Sequence, residues 1–250
     1  MPQRAYIKEI FKSIQGEAEY VGYEQIFVRF IGCNIKCNYC DTDINKSEHL
    51  KFYKNWDLNN YESVKNPVSP EELIKLIEKL DPENSVHSIS LTGGEPLINI
   101  DFLKEFLPKF KRARDTKIFL ETNGTLAEEL SGIAEYVDIV SMDLKLASYL
   151  EDKKNLMNEH RLFLKQCVEN NIATYVKVVI DNNFNQEELN NYLALVEPYR
   201  NNIKVYIQPM MQGDKMLVNS EKLRAAFELC KSKGLVPRII PQIHKMLSLN

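Results

Sequence analysis

The chain of 250 residues contains no apolar run approaching the roughly 18 residues that read as a membrane span. Its opening stretch, MPQRAYIKEIF, lacks the apolar segment of a signal peptide, so an unexported, cytoplasmic protein is expected. An excess of one charge is also missing. The 32 Lys and Arg face 35 Asp and Glu, a formal charge of -3, which removes the uniformly basic surface of a non-specific nucleic-acid binder. No Gly/Ser-rich or Pro-rich linker divides the chain and no fixed-period repeat is visible. With 44% hydrophobic residues, the reading is one domain over residues 1–250, with neither membrane nor nucleic acid as partner.

Cysteine is scarce too. Five is an odd count for a disulfide framework, and three of the five, Cys33, Cys37 and Cys40, fall within eight residues, a crowding that suggests a metal. Cys167 and Cys230 stand alone in apolar-periodic stretches, where a free thiol acts as a small hydrophobe.

Beyond the cysteine cluster, β-branched and aromatic runs alternate with helical patterns. Strands are expected at 6–11, 25–31, 86–91, 117–121, 137–142, 174–180, 203–208 and 236–240. Ser69, Pro70 and Glu72 mark a helix start with a capping box, and Leu73, Ile74, Ile77 and Leu80 form its apolar stripe. Further helices are expected at 101–113, 155–170, 186–197 and 220–233. Alternation over this length implies an α/β fold, a (β/α) barrel or a partial one. The segment 44–68 is polar, shows neither helical nor strand period and holds Trp56. It reads as a long loop, either a solvated insertion or a cover for the site or for a dimer contact.

Cys33, Cys37 and Cys40 place three thiolates on one tight loop after strand 25–31, with no nearby fourth cysteine. Three cysteines suit a 4Fe-4S cluster with one iron left open, whereas a structural zinc site would need a fourth ligand, of which His49 is the obvious candidate. Strand 86–91 runs into Thr92, Gly93, Gly94, Glu95 and Pro96, and glycines at a strand's carboxyl end let a ligand approach the backbone.

The three-cysteine loop followed by this GGEP segment resembles the radical S-adenosylmethionine superfamily. Further segments narrow the resemblance: Ser13 to Glu17, Val28-Arg29-Phe30, Asp41-Thr42, Leu120 to Thr125, Ser141 to Lys145 and Pro241 to Lys245. Together they are similar to the 7-carboxy-7-deazaguanine synthases. That family converts 6-carboxy-5,6,7,8-tetrahydropterin to 7-carboxy-7-deazaguanine with loss of ammonia, a step toward the queuosine and archaeosine bases of transfer RNA. Ala18 departs from the family's IQGEG, and the segment 44–68 departs from what commonly follows the cluster.

The resemblance implies a partial (β/α) barrel of the radical S-adenosylmethionine type and a homodimer. It implies that Cys33, Cys37 and Cys40 hold the 4Fe-4S cluster, and that Tyr39, Cys40, Asp41, Gly94, Asn123, Ser141, Met142 and Asp143 contact S-adenosylmethionine. Ile14, Gln15 and Gly16 would face the pterin through backbone groups, Arg29 would grip its carboxylate, Thr92 would add a hydroxyl contact, and Thr42 would bind Mg2+. Arg29 points into the barrel if Val28 and Phe30 pack outward. Lys145, Lys177, Gln208, Gln242 and His244 are weaker candidates at later strand ends, while His87 and His160 read as structural. A flavodoxin- or ferredoxin-type protein would supply electrons. The rival readings are a radical activase acting on a protein and a non-catalytic iron–sulfur or zinc module.

Overall fold

The computed structural model describes residues 3–40, 42–43, 45–54 and 60–249. Among them lie twelve strands: β1 (Ile7–Ile14), β2 (Glu24–Phe30), β3 (His49–Tyr53), β4 (Tyr61–Lys65), β5 (Ser88–Gly93), β6 (Lys117–Thr122), β7 (Ile139–Asp143), β8 (Ala173–Ile180), β9 (Lys204–Pro209), β10 (Met211–Gln212), β11 (Lys215–Met216) and β12 (Pro237–Ile239). The helices are α1 (Pro70–Leu80), α2 (Ile100–Ala113), α3 (Ala127–Ser131), α4 (Met157–Glu169), α5 (Gln186–Leu193), α6 (Ser220–Ser232) and α7 (Ile243–Met246). All eight expected strands and all five expected helices are present. None of these helices is long and apolar enough to cross a membrane.

Ten strands form one sheet in the order β12-β9-β8-β7-β6-β5-β2-β1-β3-β4. From β2 through β12 the neighbours run parallel, joined by helical crossovers, and the two edges do not meet, so the barrel is partial. At the start of α1 the Ser69 hydroxyl accepts from Glu72 N at 3.3 Å while Glu72 Oε2 accepts from Ser69 N at 2.7 Å, the reciprocal cap expected there.

Strand alternation sorts the side chains between the two faces. Val28, Phe30, Leu91, Leu120, Val140, Val176, Val178 and Ile207 point outward into the core beneath the helices and are wholly buried. The intervening residues line the concave inner face. Its N-terminal layer is closed by Phe119, Ile139, Tyr175 and Tyr206, plugged by Tyr20, whose ring lies 5.5 Å from Phe119 and 6.2 Å from Tyr175. Two residues further along the strands the layer turns polar, with Glu121, Ser141, Lys177 and Gln208. Cys167 and Cys230 lie in the outer core at 0% exposure, as free thiols acting as hydrophobes.

In 44–68 the structure differs from the long loop expected: its described residues include two strands that extend the sheet as a hairpin, β3 pairing in parallel with β1 and β4 antiparallel with β3. Leu50 and Phe52 are buried in the main core, but this alternation lasts only a few residues between polar flanks, too short to read as a strand. Tyr53 packs edge-on against Phe11 at 6.4 Å. None of the hairpin's described residues lines either large cavity, so they form no cover for the site. Trp56 lies outside the described residues. Because Phe52 is fully buried, Phe52→Ala should destabilise the protein by about 3–5 kcal/mol in urea unfolding, whereas a merely solvated insertion would lose almost nothing.

Candidate active site

Two cavities open on the inner face at the carboxyl ends of the strands, where parallel α/β sheets bind ligands. One, of about 500 Å³, is lined by Cys33, Cys37, Tyr39, Cys40, Gly94, Asn123, Ser141 and Asp143. The other, of about 430 Å³, is lined by Ile14, Gln15, Gly16, Phe11, Phe27 and His244. Arg29, Thr42, Thr92, Glu17, Glu121 and Gln242 belong to both. The expected cofactor residues thus gather in the first cavity and the expected pterin residues in the second, with a common wall between them.

Val28 and Phe30 pack outward, so Arg29 points inward as alternation predicts. Its Nε donates to Glu9 Oε1 at 2.8 Å, and its guanidinium carbon sits 5.6 Å above the Phe11 ring. Phe11 stacks on Phe27 at 5.0 Å and is braced by Tyr53, so the hairpin reaches the site through Arg29's support. Thr92 Oγ1 donates to Glu121 Oε2 at 3.2 Å, while Glu121 Oε1 accepts from Ser90 Oγ at 2.9 Å and Gln15 Nε2 at 3.1 Å. The Gln15 side chain is therefore committed to the scaffold, consistent with a role for this segment through its backbone.

The three cysteines share one wall, and burial pushes the thiols of Cys33 and Cys37 above their ordinary value. A cationic metal centre favours their ionisation, and three thiolates suit an iron–sulfur cluster. Gln208, which lines the same cavity and is 4% exposed, has a buried Oε1 without a hydrogen-bond partner among the described residues, an acceptor left for a group outside them. The site therefore fits a cluster and a polar cofactor. His49, the fourth ligand a zinc site would need, lies on β3 and lines neither cavity.

Other expectations change in detail. The Met142 side chain is wholly buried in the outer core, because it falls on the outward phase of β7, so only its main chain can face a cofactor. Asn123 Nδ2 donates to Asn34 Oδ1 at 2.8 Å and lies 3.8 Å from Cys33 Sγ, which ties it to the cysteine loop. His160, structural as expected, hydrogen-bonds the Asn123 carbonyl at 3.0 Å, and burial pulls its pKa down to about 4, so it stays neutral. A Cβ on Gly94 would sit 1.8 Å from the Gly32 carbonyl oxygen. Its first reason for being glycine is thus the close approach of the cysteine loop's own backbone. Asp41 lies outside the described residues.

Three carboxylates were not singled out from the sequence. Glu95 accepts from Asn123 N at 2.7 Å and from the Thr122 hydroxyl at 2.9 Å, anchoring the end of β6. Burial raises its pKa to about 7. Glu121 and Glu17 face the cavities. Burial opposes charge on Glu17, but Lys177 and then His244 outweigh it and lower the carboxyl to about 2. All three stand inside motif segments, and Glu121 also stands on the inward phase of an otherwise apolar strand. That phase was the available signal.

Because the Gly94 contact is with backbone and not with the tip of a flexible side chain, Gly94→Ala should destabilise the protein by more than about 4 kcal/mol and prevent cluster loading. Near-normal thermal unfolding and iron content in that variant would show that the cysteine loop does not need this approach.

The sequence profile of the Radical SAM superfamily matches residues 27–196. The 7-carboxy-7-deazaguanine synthase of Geobacter sulfurreducens is 32% identical over 247 residues, covering 97% of this chain and 97% of that protein. The Methanopyrus kandleri protein of the same name is 32% identical, covering 96% of this chain and 92% of its own. Among solved structures, QueE from Escherichia coli superposes with a TM-score of 0.61 at 18% identity, over 94% of this chain and 93% of that one. The anSMEcpe protein with bound AdoMet superposes at 0.54 and 16% identity, over 83% of this chain and 58% of that one, and at these identities both likenesses are of fold. By its sequence relatives, then, this chain belongs to the Radical SAM superfamily and, within it, to the 7-carboxy-7-deazaguanine synthase family.

Proposed function

We propose that the chain is a carbon–nitrogen lyase that converts 6-carboxy-5,6,7,8-tetrahydropterin to 7-carboxy-7-deazaguanine with loss of ammonia, in 7-deazapurine biosynthesis. The observation that carries this reading is the common wall between a three-cysteine cavity and a second cavity equipped for a planar anion. Residues 1–250 act as one domain in it. When bound, the 4Fe-4S cluster and S-adenosylmethionine supply a 5′-deoxyadenosyl radical that can remove hydrogen from the substrate. The protein's share is to hold the reactants at the common wall and exclude water.

Cys33, Cys37 and Cys40 hold the cluster, and Tyr39, Gly94, Asn123, Ser141 and Asp143 surround the cofactor. Glu9 takes only the Nε of Arg29, which leaves the outer guanidinium nitrogens for a substrate carboxylate. Glu121 Oε2, which among the described residues accepts only from Thr92, can accept from the N–H edge of a pterin, and Phe11 and Phe27 supply an apolar surface. Thr42 borders both cavities and offers an oxygen to Mg2+, an ion that keeps most of its waters. A flavodoxin- or ferredoxin-type protein reduces the cluster in the cytoplasm, and the working assembly is a homodimer.

Anaerobically reconstituted protein given S-adenosylmethionine, Mg2+, a reductant and the pterin should release 7-carboxy-7-deazaguanine and ammonia. Cleavage of S-adenosylmethionine with no pterin-derived product would count against the substrate. Arg29→Lys should weaken pterin binding at least about tenfold while S-adenosylmethionine binding is kept, since a point charge cannot reproduce a bidentate grip. Equal loss of both affinities would mark Arg29 as structural. Thr42→Ala should blunt the response of turnover to Mg2+ and leave the cluster spectrum intact. An unaltered Mg2+ response would place the ion elsewhere.

A further inference from the structure

The cavity walls carry a chain of buried charges whose central lysine, Lys177, has no task in the chemistry above. Lys177 Nζ bonds Glu17 Oε2 on one side and lies 3.2 Å from Asp143 Oδ1 on the other. Asp143 Oδ2 is 2.7 Å from Lys145 Nζ, which in turn lies 3.3 Å from the Tyr39 hydroxyl. In the opposite direction Glu17 Oε1 accepts from Gln242 Nε2 at 2.7 Å. Of these groups only Lys177 touches both carboxylates, and its side chain is 8% exposed.

Each end of this chain has a structural task. Gln242 begins the C-terminal segment 242–249, from which Gln242, His244, Lys245 and Leu249 line the second cavity. Ile243 N donates to the Gly16 carbonyl at 2.8 Å, and a Cβ on Gly16 would lie 2.3 Å from His244 Nδ1, so this strap is seated directly on the loop that carries Glu17. At the other end Asp143 borders the cysteine cavity, and its Oδ1 has the ion-pair contact with Lys177 but no aligned hydrogen bond. A ligand in that cavity therefore meets the side chain that Lys177 holds.

We propose that Lys177 is a positioning residue that ties the cysteine cavity to the C-terminal strap of the second cavity, so that filling either cavity firms the other. The proposal rests on the reading of the two cavities as cofactor and pterin sites. An ammonium clamped between two buried carboxylates has little freedom, and in surroundings of low polarity each contact stiffens the next. A ligand that orders Asp143 therefore orders Lys177, then Glu17, then Gln242 and the strap. Linkage makes the effect reciprocal: the pterin must tighten S-adenosylmethionine binding by the factor with which S-adenosylmethionine tightens the pterin.

The test uses cluster-loaded wild type, Lys177→Met and Lys177→Arg. Hydrogen exchange of segment 242–249, measured first without ligands, should be at least about tenfold faster in Lys177→Met and close to wild type in Lys177→Arg. The dissociation constant of S-adenosylmethionine should then be titrated with and without the pterin. In wild type the pterin should tighten it by about 5-fold or more. In Lys177→Met the factor should fall below about twofold, and Lys177→Arg should recover most of it. Unchanged strap exchange with full coupling in Lys177→Met would overturn the proposal, as would a loss of both affinities with the coupling factor intact. Should Lys177→Met fail to hold its cluster, Glu17→Gln must loosen the strap in the same exchange measurement, and a strap as protected as in wild type overturns the proposal. Wild type that binds S-adenosylmethionine but not the pterin would instead sink the substrate assignment, and the ligand-free exchange result would still decide the role of Lys177.

Discussion

A parallel sheet that curls without closing leaves a concave face too large to fill with side chains alone. Charged groups placed there are withdrawn from solvent, and each must be matched by a neighbour or be lost. The inner face of this protein meets that constraint by pairing across strands. Asp143 on β7 stands in register with Lys177 on β8, and Glu121 on β6 collects hydroxyl and amide donors from β5 and the end of β1. Burial opposes ionisation of Asp143, Lys145, Lys177 and Glu17, yet their mutual attraction keeps the acids acidic and the lysines strongly basic. The result is a preorganised polar lining whose groups are already oriented before a ligand arrives.

That lining also explains the order of layers along the strands. Nearest their N-terminal ends the inner face is plugged by aromatic rings, so the cavity has a floor. Two residues further come the polar groups, and beyond the last residue of β2 comes the cysteine loop. Gly94 lets that loop lie against the turn after β5, while Asn123, fixed by Glu95 and His160, holds Cys33 from a third strand end. Arg29, Thr92 and Glu121 belong to the wall that the cysteine cavity shares with the second cavity, so a cofactor held beside the cysteines would face the second cavity across it. Directing a reactive species toward one neighbour is a matter of position more than of reactivity.

Much of this was legible in the sequence because strand alternation and helix capping are local. The outward phase of Val28 and Phe30 placed Arg29 inside, and Ser69 with Glu72 marked the first helix. The hairpin at 49–53 and 61–65 was not legible, since its only alternation, Leu50-Lys51-Phe52, is brief and its stability comes from pairing with β1, a contact remote in sequence. Met142 was assigned a cofactor contact by its segment, whereas its phase on β7 sends the side chain outward. Glu17 carries no local pattern, and for Glu121 the only local sign is its inward phase on β6. Their importance arises only when Lys177, Gln242 and Gln15 converge on them from distant parts of the chain.

The central claim is that the two cavities meet where hydrogen passes from substrate to cofactor. It is tested most directly with pterin deuterated at the carbon bearing the carboxylate, incubated anaerobically with reduced, cluster-loaded protein and S-adenosylmethionine. Loss of ammonia alone balances the conversion, so the hydrogen taken from the pterin must be handed back, and the account predicts that deuterium from that carbon appears in the 5′ position of the adenosyl group recovered after turnover, as S-adenosylmethionine or 5′-deoxyadenosine. Product that accumulates while the adenosyl groups stay free of that label would contradict it.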